Sequence, residues 1–259
     1  GISACLARRH GLDPAMLGIL VALREESRPL RRQATKAGKT RRGAPPPWPD
    51  CRLQLSGVGA DRAQRAAATL LDAGATALLS WGTAAGLAAA PPGTVLLPAR
   101  VVSATGGELA VHAPWHDRIL AGLEQCGWPQ PLTAPLAEAT TLLTTAAAKQ
   151  ALAARTQAVA ADMESAAIGR IATAKGIPWL VLRSLADGAA TGLPASLGMA
   201  MREDGQLDLP RFIMASLARP RHLRSLLRLA KEASVAQRRL AHLAELAWPR
   251  GFWLAHHGN

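Results

Sequence analysis

Apolar residues in this chain fall into short continuous runs, separated by Ala-rich stretches and by clusters of Gly, Pro and charge. A run of four to eight apolar residues suits a strand buried on both faces, as in a parallel sheet. Met16 to Leu23 is such a run, and Cys51 to Leu55 and Ala77 to Ser80 are two more. Arg24-Glu25-Glu26-Ser27 leaves the carboxyl end of the first. The basic segment after it, with Pro45-Pro46-Pro47-Trp48-Pro49, predicts a loop without regular structure. Ser56-Gly57-Val58-Gly59 follows the second run, and Asp61 is read as the cap of a helix reaching Ala73. The third run ends in Trp81-Gly82-Thr83-Ala84-Ala85-Gly86-Leu87, read as a turn. Further along, Gly93 to Val102 predicts a strand, Glu108 to His112 a hairpin arm, and Asp117 to Glu124 a helix. Ala146 to Ala154 predicts a helix, Ala158 to Ala160 a brief strand, and Glu164 to Lys175 a helix. Trp179 to Leu182 is a buried strand, with Arg183 and Asp187 just past its end.

Strands alternating with helices predict an α/β fold: three layers, α/β/α, around a mixed, mostly parallel central sheet. The loop Gly188 to Pro194 leads to a different kind of segment. Leu223, Leu226, Leu227 and Ala230 follow the i, i+3, i+4, i+7 spacing of an amphipathic helix. The expected organisation is one α/β domain over residues 16–210 and a basic amphipathic C-terminal extension over 211–259.

Composition sharpens this picture in two places. The 259 residues are 49% apolar, enough for one large core, and the three cysteines, Cys5, Cys51 and Cys126, form no CxxC pair. Sparse, odd cysteines suit reduced thiols in a cytoplasmic protein without a metal site or disulfide framework. The net charge is +12, and it is uneven. Residues 211–259 hold nine Lys or Arg against two acids, and Arg28 to Arg42 holds seven basic residues and no acid. Such fields attract polyanions, either nucleic acid or an anionic membrane surface; an Arg- and Ala-favouring genome is the plainer cause. Basic nucleic-acid arms interleave stacking aromatics, and the charges from Arg28 to Arg42 and from Arg219 to Arg239 have none between them; Trp248, Phe252 and Trp253 cluster further on, around Arg250. No apolar run is long enough for a transmembrane helix and no signal peptide is evident, so the expected station is cytoplasmic, peripheral at the inner membrane at most.

The candidate chemistry lies at the strand ends, where open α/β sheets bind ligands. Asp162, Met163 and Glu164 stand at the mouth of an apolar helix, and the next strand delivers Arg183 and Asp187. A carboxylate pair in a cleft is the minimal equipment for cleaving a glycosidic bond. Singly, each residue has a plainer reading. Glu26 and Glu164 suit the first turn of a helix, Asp187 suits a turn, and Gly57-Val58-Gly59 suits any strand-to-helix connection. Their emergence on one sheet edge is what singles them out.

Five segments, GILVALREE (Gly18–Glu26), SGVG (Ser56–Gly59), SWGTAAGL (Ser80–Leu87), DMESAA (Asp162–Ala167) and LRSLAD (Leu182–Asp187), resemble in this order the nucleoside phosphorylase/nucleosidase superfamily. That superfamily includes purine nucleoside phosphorylases and methylthioadenosine/S-adenosylhomocysteine nucleosidases. The resemblance covers roughly residues 16–190. The DMES wording and the basic Leu/Arg-rich tail resemble the hopanoid-associated phosphorylase branch, associated with adenine release from adenosylhopane. The resemblance implies a nucleoside phosphorylase-like fold and release of adenine from a 5′-substituted adenosine. It implies that Glu26 activates the attacking water and that Asp187 protonates purine N7. Thr83, Ala84 and Gly86 would face nucleophile and ribose, Met163 would pack on the sugar, Glu164 would hold the ribose hydroxyls, and Arg183 would stand beside the nucleophile. No cofactor or metal is implied, inorganic phosphate is an alternative co-substrate, and a homo-oligomer is expected.

The chain departs from the family pattern at several positions. Ala85 stands where many relatives have Gly, Asp162 where Glu is commoner, and Ala186 where nucleosidases carry Ser beside the acid. No complete Arg-rich phosphate set is visible; Arg24 and Arg28 are the candidates. Water and phosphate therefore both stand as nucleophiles, with Glu26 favouring water. An ordinary methylthioadenosine or adenosylhomocysteine nucleosidase is the competing enzyme, and a nucleic-acid-binding protein on a degenerate scaffold is the competing class.

Overall fold

The computed structural model describes residues 16–39, 51–191 and 223–247. Its strands are β1 (Met16–Val21), β2 (Cys51–Leu55), β3 (Ala75–Gly86), β4 (Val95–Leu96), β5 (Arg100–Val102), β6 (Glu108–Ala110), β7 (Leu136–Glu138), β8 (Ala160–Asp162) and β9 (Trp179–Asp187). The helices are α1 (Arg24–Lys39), α2 (Ala60–Asp72), α3 (Ala113–Gln125), α4 (Ala146–Thr156), α5 (Ser165–Ala174) and α6 (Leu223–Ala247). The strands form one sheet in the order β2-β1-β3-β8-β7-β5-β6, with β9 pairing β3 and β4. β1 pairs β2 and β3 in parallel, and β9 pairs β3 in parallel. β8 meets the end of β3 antiparallel through Ala85 and Gly86, and β5–β6 and β4–β9 are also antiparallel. This is the mixed, mostly parallel sheet of a three-layer α/β fold.

Burial explains the apolar runs. Leu17, Ile19, Leu20 and Val21 of β1 lie in one core with Leu78 and Leu79 of β3 and Leu180 to Leu182 of β9. Each such side chain contributes about 1.5–3 kcal/mol on leaving water. Helices flank the sheet in two groups, α2 with α5 and α1 with α6. At Gly169 of α5 a Cβ would stand 2.5 Å from the Trp179 ring, so only glycine lets α5 approach β9 this closely.

Several expectations are corrected here. The segment after the first strand is not a loop up to residue 39: it is helix α1, opened by Glu25 and Glu26 in its first turn, where the helix dipole favours acids. Residues 40–50, with the Pro-rich stretch, lie outside the described residues. The segment 82–86 is not a turn but the second half of β3, and Arg183 and Asp187 belong to β9 rather than following it. The strand expected over 93–102 breaks into β4 and β5, with Pro98, which has no N–H to give a ladder, between them. Asp61 lies in the first turn of α2, whose cap is Gly59.

The C-terminal helix divides along its length. Leu227, of the expected stripe, is 63% exposed, and Ala230 is exposed. A second stripe, Ala236, Leu240, Leu243 and Ala244, is buried, and its last three members join the main core. The helix packs on β9 and α1.

Candidate active site

β3 and β9 run on past the end of β1. Val21 pairs with Trp81, whereas the β3–β9 ladder continues through Thr83 and Ser184 to Ala85 and Asp187. The overshoot makes a ledge at the carboxyl edge of the sheet. Glu26 from α1 and Met163 and Glu164, just after β8, line one cleft there. The register slips between Ala84 and Ala85, leaving Ala186 as an extra residue in β9. Bulges of this kind re-aim side chains beside active sites. Here consecutive residues, Ala186 and Asp187, both reach the cleft.

The cleft measures about 210 Å³, and Glu26, Glu164, Asp162 and Asp187 all line it. Thr83, Ala84, Ala85 and Met163 form more of the wall, and Leu23, Val58, Leu142 and Leu143 supply apolar surface. A roomier hollow of about 280 Å³ lies at Leu120, Glu124, Trp128, Gln130 and Pro131. Its one carboxylate, Glu124, is exposed, so it lacks convergent buried chemistry.

Glu26 is 2% exposed and fixed from three directions. Its Oε1 accepts hydrogen bonds from the Thr83 N–H and the Thr83 hydroxyl, each at 2.8 Å, and its Oε2 accepts from the Leu23 N–H at 3.1 Å. Burial raises its proton affinity above the ordinary carboxylate value, opposed by the charge of Arg183 and by these bonds. A buried base of raised affinity is better placed to take a proton from water. Thr83, expected to face nucleophile and ribose, lines the cleft and also clamps Glu26.

Glu164 accepts from the Gly59 N–H at 2.8 Å and from the Met163 N–H at 3.3 Å. Gly59 has φ +106°, a region that L side chains rarely adopt, so the SGVG turn presents this N–H through glycine's freedom. Burial first, and then the neighbouring Asp162 charge, pushes the Glu164 carboxyl up to about 7.

Arg183 is placed differently from the expectation of a substrate contact. It is 3% exposed, and its Nε donates to Asp162 Oδ2 at 2.7 Å. Its Nη2 donates to the Ser80 hydroxyl at 2.7 Å and to the Ser165 hydroxyl at 3.0 Å. Its charge is felt by Glu26 and Glu164, but the guanidinium does not line the cleft. Asp162 completes this cluster: its Oδ1 accepts from the Glu164 and Ser165 N–H groups at 3.3 and 3.1 Å, and the Ser165 hydroxyl donates to Oδ2. Asp162 thus anchors the start of α5 and Arg183 together.

Asp187 is 4% exposed. Its Oδ1 accepts from the Gly86 N–H at 3.0 Å, so Gly86, expected as a substrate contact, holds the acid instead. Its Oδ2 accepts from the Lys149 Nζ at 2.7 Å, and Lys149 is fully buried. No such cation is expected beside Asp187 from the sequence. Ala146 to Ala154 reads as a plain Ala-rich helix. The one signal for Lys149 is its place three residues before Leu152, on the face that α4 buries. No group of His, Cys, Asp and Glu able to hold a metal ion is found among the described residues.

Three solved structures share this architecture. The 5′-methylthioadenosine/S-adenosylhomocysteine nucleosidase from Neisseria meningitidis, in complex with methylthio-immucillin-A, is 15% identical with a TM-score of 0.64, over 90% of this chain and 98% of that one. The S-adenosylhomocysteine nucleosidase from Streptococcus pyogenes, in complex with 5-methylthiotubericidin, is 16% identical with a TM-score of 0.62, over 92% and 98%. The futalosine hydrolase of Helicobacter pylori is 16% identical with a TM-score of 0.61, over 90% and 98%. No curated protein matches the chain in sequence. The family model described as the phosphorylase superfamily matches residues 18–213, and the chain belongs to that superfamily, whose enzymes cleave N-glycosidic bonds.

Proposed function

We propose that this enzyme releases adenine from an adenosine carrying an apolar 5′ substituent, with adenosylhopane as the favoured substrate in hopanoid synthesis and water as the nucleophile. The observation that carries the reading is the convergence of Glu26, Glu164 and Asp187 on one cleft whose remaining wall is largely apolar.

The chemistry follows from the charges that the reaction builds. As the C1′–N9 bond breaks, positive charge grows on the ribose ring and the bonding pair leaves with the purine. Glu26 takes a proton from water as its oxygen attacks C1′. The Glu164 carboxylate faces the sugar, offsets the ring charge and accepts hydrogen bonds from the ribose hydroxyls, and Met163 packs beside it. Asp187 delivers a proton to N7, so adenine leaves neutral. General acid assistance of this kind is worth about 10²–10⁴ in rate. The products are adenine and the 5-substituted ribose.

Water is favoured over phosphate because no Arg or Lys of the described residues lines the cleft. Arg183 is engaged by Asp162 and two serines, Arg24 is exposed, and Arg28 pairs with Glu25 at the surface. Leu23, Val58, Leu142, Leu143 and Met163 suit an apolar 5′ group better than an amino-acid zwitterion. A lipid-linked substrate would bring the enzyme to an anionic membrane surface. No helix among the described residues is long and apolar enough to cross a membrane.

The test is incubation with adenosylhopane, 5′-methylthioadenosine and S-adenosylhomocysteine, each with and without phosphate, followed by identification of base and sugar. Adenine and free 5-substituted ribose from adenosylhopane support the reading. A sugar 1-phosphate formed only with phosphate makes the enzyme a phosphorylase. Faster turnover of either sulfur nucleoside makes it an ordinary nucleosidase.

A further inference from the structure

Lys149 is the most fully buried charged side chain described, at 0% exposure. Its ammonium makes two hydrogen bonds, to Asp187 Oδ2 at 2.7 Å and to the Gly188 carbonyl at 2.9 Å. It does not line the cleft; it stands behind Asp187, which does. A buried ion pair is a poor way to gain stability, because desolvation offsets the attraction and an apolar pair of similar volume often does as well. The rest of the buried face of α4 is a single leucine, Leu152, on a helix otherwise rich in alanine. A methionine at position 149 would serve packing alone. The cation is instead aimed at a carboxylate that faces the cleft. It also stands in a site where Ala186 offers no hydroxyl beside the acid.

We propose that Lys149 is a positioning residue for Asp187 and the source of the proton that Asp187 passes to the departing base. The inference rests on the reading of the cleft as an N-glycosidic site. Before reaction the pair holds one proton beyond the Asp187 carboxylate, on Nζ. As the C1′–N9 bonding pair moves onto the purine, one proton passes from Nζ to the Asp187 carboxyl, and one passes from that carboxyl to N7. Lys149 ends as a neutral amine, Asp187 as a carboxylate and the base as neutral adenine. The proton that Glu26 took from water returns to the pair through solvent at turnover, so charge and protons balance. Oδ1 stays held by the Gly86 N–H throughout.

Lys149→Arg is the informative variant. It keeps the cation and the ion pair, but a guanidinium does not give up its proton in a protein. The full-length protein and this variant are compared on a 5′-substituted adenosine and on its N7-methylated counterpart, whose base leaves neutral without being protonated. Thermal melts report the fold. The expected result is that Lys149→Arg melts as a folded protein and loses about 10²-fold in kcat on the adenosine with little change in KM. On the N7-methylated nucleoside it stays within a few-fold of wild type. Combining Lys149→Arg with Asp187→Asn adds little further loss, because the two residues act as one unit. Wild-type kcat in Lys149→Arg overturns the proposal, and so does an equal loss on both nucleosides, which marks a merely structural role. If the wild-type chain cleaves neither nucleoside, the reading of the site itself fails, and the proposal falls with it.

Discussion

A Cβ on Gly82 would stand 2.8 Å from both carboxylate oxygens of Glu26. The base and the glycine therefore occupy one space, and β3 carries no side chain at that position so that Glu26 can lie against its backbone. Gly82→Ala should push the Glu26 carboxylate off the Thr83 N–H and hydroxyl. The obstructing group is the end of a flexible side chain, so stability should fall by no more than about 2 kcal/mol. Activity should fall far more, approaching the roughly 10²-fold or greater loss expected of Glu26→Ala. Steady-state kinetics beside thermal melts check this; unchanged kcat in Gly82→Ala would contradict the placement of the base.

Glu164 gives a pH signature in both stability and rate. Its carboxyl is raised from 4.5 to about 7 by burial and by Asp162. Between those values the folded protein holds a proton that the unfolded chain has released, so stability should fall as pH rises from about 4.5 to about 7 and then level off. The expected contribution is roughly 3 kcal/mol. Glu26, raised in the same direction, adds to the trend. Activity should move the opposite way and rise through about pH 7, because the carboxylate form offsets the ribose charge. Glu164→Gln should flatten part of the stability slope and lower kcat more than it raises KM. Urea melts from pH 5 to 8 test the first; a slope that the substitution leaves intact would place the titration elsewhere.

Asp162→Asn should be the most destabilising of the polar substitutions at the site. It leaves the Arg183 guanidinium buried without its carboxylate, and breaking a buried pair from one side costs about 3–5 kcal/mol. Ser80 and Ser165 supply hydrogen bonds but no charge, and Glu26 and Glu164 make no hydrogen bond to the guanidinium. Denaturant unfolding measures this, and a loss below about 1 kcal/mol would show that the cluster is not anchored by the pair.

The buried strands were legible because parallel strands covered on both faces read as unbroken apolar runs, as Leu17 to Val21 and Leu180 to Leu182 do. The cleft acids were legible because Glu26, Glu164 and Asp187 each follow or end such a strand. Strand lengths were not. Gly82 and Gly86 read as turn residues, whereas each serves a close approach, one to Glu26 and the other to the Asp187 carbonyl. The bulge at Ala186 depends on pairing between β3 and β9, which are about a hundred residues apart in sequence and leave no local trace. Lys149 was hidden for the same reason, since its partner lies 38 residues away on another element. Arg183 was seen, but its engagement by Asp162, Ser80 and Ser165 arises only from packing.

The C-terminal helix offers a separate test. Leu227, Arg228 and Lys231 are exposed on its first half, while Leu240, Leu243 and Ala244 are committed to the core. If the exposed half meets a membrane surface, the full-length protein should co-sediment with anionic vesicles, and each basic residue near the surface adds about 1 kcal/mol. Replacing Leu227 with Glu, and Arg228 and Lys231 with Gln, should weaken binding at least tenfold without lowering the melting temperature. Binding that survives these changes, or none by the wild-type protein, would contradict a membrane role for this half of the helix.

Single-turnover release of adenine by the wild-type protein and by Asp187→Asn, on the same 5′-substituted adenosine and without phosphate, tests the central claim most directly. The account predicts stoichiometric adenine and free 5-substituted ribose from the wild type, and a rate constant lower by about 10² or more for the variant, which keeps the hydrogen bond from Gly86 but has no proton to pass on. A folded wild-type protein that releases no adenine, or a variant within tenfold of it, would contradict the assignment of this cleft to N-glycosidic bond cleavage through Asp187.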